Sequence, residues 1–99
     1  MISRTTPLAA VWSELAQKTG QRSAVHFARA QWTDLSAATT AILEGPQRPL
    51  LSDETIELLR NARFEANTKA AAWNRKMSEI DAEIADLQRR LEDLDKETR

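Results

Sequence analysis

The chain has 99 residues, of which 29% are charged and 5% aromatic, and its net charge is −1 at pH 7. It holds no cysteine, which excludes disulfides, thiolate metal sites and cysteine nucleophiles, and its two glycines are too few for a Gly-rich phosphate loop. Residues 1–50 carry five Lys/Arg against three Asp/Glu, and residues 51–99 carry nine against twelve, without the basic excess of a large phosphate-binding surface.

Alanine, leucine, glutamate, glutamine, lysine and arginine dominate, and no stretch alternates with period two, so an all-α fold is expected. Residues Met1–Pro7 lack the apolar core of a signal peptide, and no apolar run reaches membrane-spanning length. The expectation is a cytoplasmic protein with no membrane partner.

In chain order, Thr6-Pro7 opens a first helix, with threonine as cap and proline at the first helical position. Leu8, Val11, Trp12 and Leu15 share one face, and Gly20 offers a stop, so this helix is expected over residues 7–19. Ser23 caps a second helix whose apolar line reads Val25, Ala28, Trp32, Leu35, Thr39 and Ile42. Gly45-Pro46-Gln47-Arg48-Pro49 ends it in a turn. Ser52 caps a third helix, with Asp53 and Glu54 in its positive first turn, and no Gly or Pro follows as far as Arg99.

That third helix carries the clearest pattern. Trp73, Met77, Ile80, Ile84, Leu87, Leu91 and Leu94 alternate steps of four and three, the spacing of a coiled-coil seam. Ile56, Leu59, Arg63, Ala66 and Ala70 extend the line backwards with smaller residues. A second helix of 22 residues reaches only about 33 Å, enough to cover the third to about residue 72. The expected architecture is therefore a small bundle, two short helices packed on the first half of a long third helix. Residues 1–50 form the helical pair and turn, residues 51–99 the long helix, and residues 73–99 a C-terminal coiled-coil dimerisation arm. If Gly20 instead lies inside one helix, residues 7–44 form a single rod of about 57 Å and the seam is satisfied internally.

The functional reading is a non-enzymatic protein–protein interaction module, an adaptor, assembly factor or small inhibitor, acting as a coiled-coil homodimer. Trp73, Phe64, Leu58 and Phe27 are candidate partner contacts, the first because it lies at the end of the internal bundle, the others because they fall off the main seams. An alternative is a dimeric DNA-binding regulator. Residues 8–30 resemble a degenerate helix-turn-helix with its turn at Gly20, in which Lys18, Arg22, Ser23, His26 and Arg29 face nucleic acid. A third reading is a helical-hairpin protein, structural or secreted, that pairs with another chain. His26 is the only histidine and has no ligand spacing around it, so no metal, cofactor, small-molecule substrate or catalytic residue is expected.

Overall fold

The computed structural model describes residues 7–97, so the expected Thr6 cap lies outside the described residues. Two long helices account for most of them: α1, Pro7–Glu44, and α2, Asp53–Glu97, joined through a 3-10 turn at Arg48–Leu50. The all-α expectation holds. No strand occurs among the described residues.

The expected break at Gly20 does not occur. Helix α1 runs unbroken for 38 residues, and Gly20 has no positive φ. A single glycine costs a helix only about 1 kcal/mol relative to alanine, and the residues on either side of Gly20 offer their own helical hydrogen bonds and apolar contacts. The two short N-terminal helices are thus one helix, and the helix-turn-helix suggested for residues 8–30 is absent because its turn is absent.

Real breaks form where proline removes donors. Arg48 N–H donates to the Gly45 carbonyl at 3.3 Å, Leu50 N–H to Gln47 at 2.9 Å and Leu51 N–H to Arg48 at 3.0 Å. Helix α2 starts as its sequence indicates. The Thr55 N–H donates to the Ser52 side-chain oxygen at 3.1 Å, and the Ile56 N–H to the Ser52 carbonyl at 3.0 Å. Asp53 and Glu54 occupy the first turn, beside the positive end of the helix dipole.

The chain divides into two compact units, each drawing on both helices. One unit combines Met1–Val25 with Lys76–Arg99. There Val11, Val25, Met77, Ile80 and Leu87 are buried, with Leu8, Leu15, Ile84, Leu91 and Leu94 half-buried. The α2 seam is therefore covered by α1 of the same chain. The expectation of a second chain over it rested on α1 stopping near Gly20, and α1 continues to Glu44. Full burial of Ile80 or Leu87 contributes about 1.5–3 kcal/mol each.

The other unit, His26–Arg75, contains the turn and the helix segments flanking it, a helical hairpin in itself. Leu43, Ala66 and Thr39 are buried, and Ala28, Trp32, Ser36, Ile56, Leu59, Ala62, Arg63, Ala70 and Trp73 are half-buried. Buried Thr39 is satisfied locally, donating its hydroxyl to the Leu35 carbonyl at 2.9 Å or the Ser36 carbonyl at 3.0 Å. Arg63, the charged residue on the α2 line, reaches the edge to Glu44 at 3.8 Å.

The two glycines make a paired prediction. A Cβ at Gly20 meets no neighbouring atom within 4 Å, whereas at Gly45 it runs into the Ala41 carbonyl oxygen. Gly20→Ala is expected to raise stability by about 0.4–1 kcal/mol and Gly45→Ala to lower it by more than that, as read from urea midpoints. Destabilisation by Gly20→Ala would indicate a turn at residue 20.

Candidate functional site

The unit formed by the chain ends is charged along both of its edges. Lys18 is ion-paired and hydrogen-bonded to Glu83 across the helices, and Arg22 Nε donates to Asp81 at 2.6 Å. These are two of the proposed DNA-contacting residues, and here they fix the pairing of α1 with α2. Farther along α1, the Arg29 guanidinium lies 3.0 Å from the His26 ring, and Ser23 is exposed. No group of three or more His, Cys, Asp or Glu side chains among the described residues could hold a metal ion. An open groove of about 330 Å³ is lined by Pro7, Val11, Glu14, Arg90, Asp93 and Leu94, a mixture of aliphatic and both charge signs without converging groups.

The hairpin unit is two-sided, and helix geometry shows how. At 100° per residue, Leu35 and Ile42 lie about 70° behind the buried line of α1 defined by Thr39 and Leu43. On α2, Ala62 and Leu58 lie about 60–100° behind the line defined by Leu59, Ala66 and Ala70. Because the helices are antiparallel, trailing positions on both fall on the same side. Leu35, Ala38, Ile42, Leu58 and Ala62 thus share one largely apolar edge, on which Lys69 also lies, about 80° behind the same α2 line. Leu58 is 63% exposed, Leu35 41% and Ile42 39%.

The leading positions form the opposite, polar edge. Ser36 there donates its hydroxyl to Asn67, and Arg63 pairs with Glu44. Thr33, Thr40 and Arg60 complete it. The Ser36–Asn67 bond also sets the register, which brings Ile42 and Leu58 to within about one helical turn of the same level. An edge on which Ile42 and Leu58 approach one level and Leu35 lies about two turns farther along, with its mirror edge hydrogen-bonded, is the feature that most resembles a docking surface.

The sequence-derived candidates separate. Trp73 is half-buried on the α2 line and belongs to the hairpin's own packing. Phe64 and Phe27 are exposed at 74% and 66%, but both project from outer faces, Phe64 about 120° around α2 from Leu58. Leu58 alone lies on the apolar edge. Leu35 and Ile42, expected in the core, are its other members. The buried line of α1 follows Ser36 and Leu43 instead, one residue along from each. Spacing concealed this, because Ser36 and Leu43 fit the three–four pattern as well as Leu35 and Ile42 do.

Glu83 gives a pH prediction. The hydrogen bond from Lys18 lowers its carboxyl below the ordinary value of 4.5, against a smaller opposing effect of burial, with the charges of Lys18 and Lys76 adding to the lowering. The pair therefore stabilises the fold above pH 4.5 and is lost as pH falls through the lowered folded value. The difference in urea midpoint between wild type and Glu83→Gln should be largest near neutral pH and close in acid. A difference unchanged at pH 3 would show that this pair does not set it.

No known family model, curated protein or solved structure matches the chain, so the functional reading rests on its own residues.

Proposed function

We propose that the protein is a non-enzymatic, helical protein–protein interaction module, an adaptor, assembly factor or small inhibitor, that docks through the apolar edge of its hairpin unit. The observation that carries this reading is the Leu35–Ile42–Leu58 edge. Leu35, Ile42 and Leu58 are left exposed by the described residues, and apolar faces of folded layers are stabilised by being covered.

Three ion pairs, Lys18–Glu83, Arg22–Asp81 and Arg63–Glu44, join the two helices. The apolar side chains of the edge suit a partner helix better than a small polar ligand. No helix among the described residues is long and apolar enough to cross a membrane.

The test is affinity capture with the full chain, wild type against Leu35→Ser, Ile42→Ser and Leu58→Ser singly and together. Each substitution removes about 1.4 kcal/mol or more of apolar contact, so each single variant should weaken a partner's binding about tenfold while far-ultraviolet circular dichroism is unchanged. Partners retained by the triple variant would overturn this reading, and Phe27→Ser and Phe64→Ser would then become the informative variants.

A further inference from the structure

We infer that the chain-end unit holds a recognition site of its own, a groove beside Trp12 that takes an arginine side chain presented by a partner protein. The groove belongs to the unit made by residues 1–25 and 76–99, so it neither uses nor needs the apolar edge of the hairpin.

Helix spacing builds the groove. Leu8 and Trp12 are four residues apart on α1, and Leu91 and Asp95 are four apart on α2, so each pair stands on one face of its helix. Glu92 completes the lining. Leu8 and Leu91 are half-buried and supply an aliphatic floor. Trp12 stands on the α1 side, 57% exposed, and the two carboxylates stand on the α2 side. A large indole is thus left mostly in water beside acidic groups.

Charge names the occupant. The lining holds two acidic side chains and no basic one. The first cation among the described residues of α1 is Lys18, and it is committed to Glu83. Asp95 already engages a neighbour, so Glu92 carries the charge contact. Glu92 has no ion pair among the described residues. An arginine side chain matches all three surfaces. Its methylene stem covers leucine, and its planar guanidinium stacks on an indole while donating to a carboxylate. Lysine fits less well, because an ammonium is a strongly hydrated point charge that cannot stack as a plane.

Size separates a side chain from a free metabolite. The groove offers about 270 Å³ and opens to solvent. That is below the roughly 300–1,000 Å³ of clefts that enclose drug-sized ligands. It suits one side chain projecting from a chain that stays outside. The unit's other groove, at Pro7, Val11 and Leu94, makes the contrast. There Arg90 lines the wall together with Glu14 and Asp93, so a basic side chain is already present.

The three tryptophans of the full chain report on the site through their indole N–H signals in a nitrogen–proton correlation spectrum, with Trp12 assigned from Trp12→Phe. Nα-acetylargininamide should shift the Trp12 signal saturably, with a millimolar dissociation constant, and leave Trp32 and Trp73 in place. At matched ionic strength the neutral isostere Nα-acetylcitrullinamide should shift it little, and Nα-acetyllysinamide less than the arginine compound. Glu92→Gln should weaken arginine binding about two- to fivefold, the range of one exposed charge contact, with an unchanged circular dichroism spectrum. Absence of a shift overturns the inference, as do equal shifts from arginine and citrulline or from arginine and lysine. An affinity indifferent to Glu92→Gln, or shifts at Trp32 and Trp73 as large as at Trp12, overturns it equally.

Discussion

The structure depends on one constraint: the apolar line of α2 is covered by α1 of the same chain. From Ile56 to Leu94 that line repeats every three or four residues, and in each compact unit its members are buried or half-buried against α1. Cross-helix ion pairs then fix which residues meet. Exposed pairs of this kind contribute at most about 1 kcal/mol each, so burial of Met77, Ile80 and Leu87 supplies the stability while Lys18–Glu83 and Arg22–Asp81 supply the register. Register in turn determines which exposed residues of α1 lie beside which exposed residues of α2.

Much of the fold was legible in the residues. The heptad line of α2, the Ser52 cap, the turn at Gly45–Pro49 and the 45-residue length of α2 all follow from local chemistry, and all are present. Gly20 was misleading for a specific reason. A glycine stops a helix only if a left-handed conformation there is more favourable than continuing, and nothing after Gly20 (no proline, no apolar contact back to the helix) rewards stopping. Reading α1 as two short helices leaves half of α2 without cover from its own chain, which is why the sequence points to a second chain there.

The candidate site was harder to read. On α1, Leu35 and Ile42 look like core because they are large and keep the three–four spacing with Thr39. Their neighbours Ser36 and Leu43 keep it equally well. Sequence spacing cannot choose between two lines one residue apart, whereas hydrogen bonding can. Ser36 bonds across to Asn67 at the polar edge, and buried Thr39 returns its hydroxyl to its own helix, which leaves Leu35 and Ile42 at the opposite edge. Leu58 was identifiable from sequence as an off-line residue, but its grouping with Leu35 and Ile42 needed the antiparallel register.

The central claim, that the Met77–Leu94 line is covered from within the chain, is tested most directly by isotope-filtered nuclear Overhauser spectroscopy on an equimolar mixture of labelled and unlabelled chains. Val11 and Leu94 line the same groove, so their methyl groups should give a cross-peak in the uniformly labelled protein. The account predicts that this cross-peak is absent from the filtered spectrum, which reports only contacts between chains. A Val11–Leu94 cross-peak surviving the filter would contradict it, and would return the seam to the role of joining two copies.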